Sequence, residues 1–114
     1  MSSNASRLPS IPGRPVAMLG RGIYVTVEWT RPEDNDEAAD VNGYVIRYSD
    51  RRGDNDFDPL DYDEVHVDGI ETSFQFTHQL QEWTYYQFAV AATNSVGRGE
   101  FSEFSDSVRT GFGK

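Results

Sequence analysis

What the 114-residue chain lacks narrows its chemistry at once: it has no cysteine, two histidines and a single lysine, Lys114. Without cysteine no disulfide braces the fold, and no thiol can act as nucleophile, redox centre or soft metal ligand; the redox compartment is left open. His66 falls on a strand-like stretch and His78 in a turn-like one. Neither accompanies a serine elbow or a paired ligand spacing, so no catalytic constellation forms. Gly97-Arg98-Gly99 lacks the strand-to-helix setting of a phosphate loop. No apolar run approaches the roughly 20 residues of a membrane-spanning helix, and the first residues lack the apolar centre of a signal peptide.

What is present in excess is negative charge, 19 acidic residues against 10 basic ones, for a formal net charge of -9. Such a surface repels phosphate backbones and anionic head groups, which disfavours nucleic acid and membrane as partners and favours basic protein surfaces or cations. The length suits one domain with one core.

The chain is organised around the stretch from Leu80 to Thr110. Tyr86, Phe88, Val90 and Ala92 alternate with smaller or polar residues, the period of a strand buried on one face. Asn94, Gly97 and Gly99 tolerate positive φ, so a tight hairpin follows and Phe104 to Thr110 returns as the partner strand. Upstream, Ile23, Val25, Val27 and Trp29 alternate in the same way after the turn Gly20-Arg21-Gly22. Tyr44, Ile46 and Tyr48 face one side of a third strand, leaving Val45 and Arg47 on an exposed outer side. Val65 and Val67 lie on a fourth strand, and Phe74 and Phe76 are buried from a fifth. Pro12 and Pro15 mark Gly13 to Leu19 as an edge strand, since proline donates no ladder hydrogen bond. The expectation is an all-β antiparallel sandwich of seven strands, three against four, with Trp29, Tyr44, Ile46, Leu80, Tyr86, Phe88 and Val90 in its core.

The pattern Leu80-x-x-x-Thr84-x-Tyr86-x-Phe88-x-Val90-x-Ala92-x-Asn94-x-x-Gly97-x-Gly99-x-x-Ser102 resembles the second half of a fibronectin type III domain. The first half agrees, with Pro12, Pro15, Trp29 and Gly43-Tyr44-Val45-Ile46-Arg47-Tyr48 in order. The resemblance covers residues 12–110, leaving 1–11 as a linker or appended tail and 111–114 as a second tail. It implies an immunoglobulin-like β-sandwich that needs no disulfide, is monomeric, and has immunoglobulin or fibronectin type III domains as neighbours. One departure stands out: many members of the family carry Pro-Gly where this chain has Glu82-Trp83.

Four features could carry recognition. Arg52-Gly53-Asp54 is the tripeptide by which integrins recognise some domains of the resembled family, although there it lies between the last two strands and here it follows the third. Residues 33–71 hold ten Asp and four Glu against three Arg. The spacing from Asp54 fails the twelve-residue calcium loop, with Pro59 at position six and Val65 at position twelve, so solvated loop charge is the better reading and no metal site is assigned. Phe101-Ser102-Glu103-Phe104-Ser105 echoes the Trp-Ser-x-Trp-Ser box of cytokine receptors, whose aromatics stack with arginines. The outward residues Tyr85, Gln87, Ala89 and Ala91 supply no cation, so the ladder's other half is missing from that strand and the echo reads as ordinary family drift, with Arg47 or Arg98 the only possible partners. Trp83 either caps the end of the core or, with Phe57, Leu60 and Tyr62, forms an apolar patch rimmed by acids; that patch is the preferred binding surface.

These readings combine into a non-catalytic interaction or spacer module of a larger protein, with no cofactor. The resemblance allows an adhesion or signalling receptor ectodomain, with a kinase or phosphatase elsewhere in the parent, or a titin-like muscle protein; the cell surface is favoured slightly. Asn4-Ala5-Ser6 is a glycosylation sequon within the first tail. The alternative is a ligand-capturing receptor domain that uses the Arg52-Gly53-Asp54 loop or the acidic loop surface.

Overall fold

The structure is a computed structural model that describes residues 7–32, 40–51 and 62–112. Seven strands follow in chain order: β1 (Val16–Leu19), β2 (Val25–Glu28), β3 (Gly43–Arg51), β4 (Asp63–Asp68), β5 (Ser73–Phe76), β6 (Tyr85–Thr93) and β7 (Val108–Arg109). They form a three-stranded sheet in the order β1-β2-β5 and a four-stranded sheet in the order β4-β3-β6-β7, every pairing antiparallel. No helix occurs among the described residues.

Alternation sets which side chains meet between the sheets. Val25 and Val27 of β2 and Phe76 of β5 come from one layer; Tyr44, Ile46, Tyr86, Phe88, Val90 and Ala92 come from β3 and β6 in the other, and Trp29 and Leu80 complete the buried cluster. Tyr48 meets Phe76 edge to face at 5.1 Å, and Trp29 meets Tyr44 in the same manner at 5.1 Å. Aromatic rings prefer this offset geometry because the positive edge of one faces the negative face of the other. Removing a ring as central as Phe88 would leave a cavity costing about 3–5 kcal/mol.

The strands differ from the alternation pattern in their limits and in one face, and β1 begins at Val16 rather than Gly13. β3 runs on to Arg51, where residues from Ser49 were expected to be loop, because β6 offers it partners as far as Tyr85. The expected strand from Phe104 narrows to Val108–Arg109, for a reason that lies in its hydrogen bonds, described below. The outer side of β3, expected to be exposed, is covered: Val45 is 2% exposed, and Ala89 and Ala91 on the same side of β6 are equally buried.

The turn between β5 and β6 is held by two hydroxyls. The Tyr86 hydroxyl accepts the Gln81 N–H at 2.7 Å, and the Thr110 hydroxyl oxygen accepts the Thr84 N–H at 3.0 Å. A buried donor without a partner costs more than a hydrogen bond contributes when made, so these contacts fix the path of the turn. Tyr86→Phe should lower stability by about 1–2 kcal/mol in urea unfolding, while far-ultraviolet dichroism stays unchanged.

Burial raises the phenol of Tyr44 above its ordinary value, partly offset by the charge of Arg31. Burial also raises that of Tyr48, and the Asp63 carboxylate adds to the effect. Because the folded values lie above the unfolded value of about 10, the associated stability is fully present below that pH and is lost as pH rises through the folded values. Phenolate absorbance should show a late component that the double variant Tyr44→Phe, Tyr48→Phe lacks; a titration with no such component would contradict this account.

Candidate functional site

The residues expected to mark a site separate into three groups. Arg52, Gly53, Asp54, Phe57 and Leu60 lie outside the described residues. Tyr62 and Trp83 are described, and each makes its ring contacts with different side chains. Tyr62 sits against Arg47 on the outer face of the four-stranded sheet, whereas Trp83 stacks with Phe112 at the end of the sandwich where β7 finishes.

The outer-face cluster is a completed ladder. The Arg47 guanidinium lies 3.9 Å from the Tyr62 ring centre and 3.9 Å from that of Phe101, while Arg98 lies 4.7 Å from Phe101. Glu64 locks it in place: its Oε2 accepts from Arg47 Nε at 3.1 Å and Nη2 at 2.9 Å, and Arg98 Nη1 stands 3.9 Å away. Register explains the meeting, since Arg47 pairs with Glu64 on β4 and with Ala89 on β6, whose small side chain leaves room for a guanidinium. Arg47 is only 21% exposed, so its attraction to the rings and to the carboxylate is screened less than at a free surface. The ladder expected to be incomplete is therefore complete, through the two arginines the sequence allowed as partners. Arg47 comes from the strand beside β6 and Arg98 from the loop after it, not from β6 itself.

Phe101 reaches this position through an uncommon edge. Gly99, Ser102 and Ser105 donate their backbone N–H groups to the carbonyls of Ala92, Val90 and Phe88. Three residues thus pass on this segment for every two on β6. At this spacing the segment's carbonyls fall out of step with the N–H groups of Val90 and Phe88, and the hydroxyls of Ser102 and Ser105 accept them instead at 3.0 and 3.1 Å. The serines of the Phe-Ser-x-Phe-Ser box face the sheet, and its first phenylalanine joins the ladder. At Gly99 the N-terminal segment passes so close that a Cβ would collide with the Pro9 carbonyl.

At the end of the sandwich, Trp83 adopts φ of +54°, the left-handed conformation that glycine takes freely and that a bulky side chain takes at a cost of about 1–2 kcal/mol. The family's usual Pro-Gly at this turn now has a physical meaning. The tryptophan does not cap the core, as one reading had it: it is 53% exposed, lies 6.5 Å from Phe112 with the rings stacked, and has the Arg109 guanidinium 5.4 Å from its ring.

A hollow of about 60 Å³ opens nearby, lined by Tyr48, Asp50, Tyr62, Asp63, Gln79, Gln81 and Tyr86. Its volume suits about two waters or a small cationic head group, and it carries two carboxylates with no cation among the described lining residues. No group of three or more His, Cys, Asp or Glu capable of holding a metal occurs among the described residues. His66 is exposed on β4, and His78 is exposed with its Nδ1 3.0 Å from the Thr77 hydroxyl.

Two packed sheets, seven antiparallel strands and a hydroxyl-braced turn before β6 define an immunoglobulin-like β-sandwich. The chain belongs to the fibronectin type III domain family, whose profile matches residues 19–108. It is 33% identical over 96 residues to a Caenorhabditis elegans protein sidekick homolog, covering 83% of this chain and 4% of that protein. To the striated-muscle M-protein of Gallus gallus it is 33% identical over 107 residues, covering 90% of this chain and 6% of the relative. The chain therefore spans about a twentieth of the length of these curated relatives. Its fold is similar to the FN5 domain of Drosophila Lar (TM-score 0.67, 24% identity, 90% of this chain and 97% of that one). It is also similar to domains from titin (TM-score 0.73, 23% identity, 91% of this chain and 32% of that one).

Arg47→Ala should lower stability by about 2 kcal/mol in urea unfolding, and Arg47→Lys should restore less than half of the loss, because an ammonium cannot lie flat between two rings. A loss of under about 0.5 kcal/mol in the alanine variant would mean that the ladder does not brace the sheet.

Proposed function

We propose that this fibronectin type III domain is a non-catalytic interaction and spacer module of a longer chain, either an adhesion or signalling receptor ectodomain or a titin-like muscle protein. The observation that carries the reading is the placement of the two chain ends. The entering segment bonds near the turn after β6, where Asn94 Nδ2 donates to the Arg7 carbonyl at 2.7 Å. The leaving segment bonds at the other end of β6, where Gly111 donates to the Gly22 carbonyl at 2.8 Å and accepts from Trp83 at 3.3 Å. Chain ends at opposite poles suit modules strung in series, and the side-chain ladder stiffens the longer sheet between them. The striated-muscle M-protein among the relatives supports keeping the muscle home open beside the cell surface.

A second reading is favoured by the hollow beside Tyr62: a ligand-capturing domain that takes a basic group between Asp50 and Asp63. The tripeptide Arg52-Gly53-Asp54 belongs to the same alternative. Backbone amide spectra of the domain, titrated separately with calcium, with an arginine-rich peptide and with an integrin headpiece in magnesium, separate the readings. The spacer predicts no saturable shift in residues 50–63; saturable shifts there with any of the three would replace it with the receptor reading.

A further inference from the structure

Trp83 and its ring neighbours stand at the tip of the sandwich without being folded into its core. The Trp83 backbone takes a conformation in which glycine would be free of strain, and the side chain it carries there is more than half exposed. Its ring neighbours at the tip, Phe112 and Arg109, are exposed as well, Phe112 by 54%. A strained, exposed aromatic pair is a poor device for stabilising an isolated fold and a good one for meeting something else.

The path of the chain says what arrives. Trp83 N–H donates to the Gly111 carbonyl, and Gly111 N–H donates to Gly22, so the outgoing backbone is clamped to two turns one residue before Phe112. Whatever follows is delivered beside Trp83 and held there at the high effective concentration of a tethered partner, so a small patch suffices to dock it. The opposite pole of this chain illustrates the surface that such a domain would present. Leu8, Ile70 and Val96 are exposed there, with Asp68 and Glu71 beside Ile70. Hydrogen bonds from Asn42 to Thr93 and from Gly69 to Asn42 tie the turns of that pole together. Apolar tips with adjacent carboxylates complement Trp83, Phe112 and the guanidinium of Arg109.

We infer that Trp83 and Phe112 are the seat of the following β-sandwich domain, whose entering pole covers both rings and sets a carboxylate against Arg109. The inference rests on the reading of the chain as one module in a series. It deepens that reading by fixing which residues control the angle and stiffness of the junction.

The test compares the 114-residue chain with the same chain extended through the next folded unit of its parent. Trp29 is buried, so acrylamide quenching of fluorescence reports mainly on Trp83. Quenching is expected to fall several-fold on extension. Trp83→Gly, which relieves the backbone, should leave the shorter chain at least as stable but let the two units of the longer one tumble independently in amide relaxation. Equal quenching of Trp83 in both lengths, with the next unit folded, would overturn the docking inference and leave the series intact. If the extension adds no folded unit, the reading as a module in series fails, and the inference fails with it.

Discussion

Strand β6 is buried on both faces and bonded on both edges, and the rest of the domain is arranged to satisfy it. Phe88 and Val90 point into the sandwich while Ala89 and Ala91 point out, and all four are shielded from water. A strand so enclosed must pair every backbone group, since an orphaned one costs as much as a lost hydrogen bond or more. Nine residues of β3 serve one edge. On the other edge the segment from Gly99 onward runs at a different pitch, and Ser102 and Ser105 lend hydroxyls where backbone carbonyls are out of step.

The same demand explains the ladder on the outer face. Alanines make β6 narrow enough for Arg47 to lie across it, and the bulging segment carries Phe101 over to meet the guanidinium. Glu64 neutralises the cation from β4. The four-stranded sheet thus has a second, thinner core built from charge and aromatic faces rather than from aliphatic volume.

Period-two alternation made most of this fold legible in the sequence. A sandwich records in every other residue which side chains face its interior, so the two-sheet architecture and the core from Trp29 to Val90 could be read directly. The outer face was not legible by the same means, because alternation says which residues point outward and nothing about what lies on top of them. Arg47 and Phe101 are far apart in the chain and meet only through strand order. The aromatic-serine box was the available signal, and it pointed to Arg47 and Arg98 once β6 offered no cation; that both reach Phe101 depends on strand order, which alternation does not display. At Glu82-Trp83 the departure from Pro-Gly flagged the right turn, but whether the ring folded inward or outward depended on the backbone conformation, which sequence does not display.

The mismatched pitch beside β6 also bears on how such domains live in crowded strings. The segment from Gly99 to Asp106 forms the outer edge of the four-stranded sheet, the place where a neighbouring chain could add a strand. Its spacing is incommensurate with regular β-structure, and it carries three exposed acidic residues, Glu100, Glu103 and Asp106, the last of them paired with Arg14. An incoming strand would fall out of register within a few residues while meeting a row of negative charge. The edge that completes this domain therefore also declines to template its neighbours, a safeguard against runaway strand exchange where many similar sandwiches are held end to end.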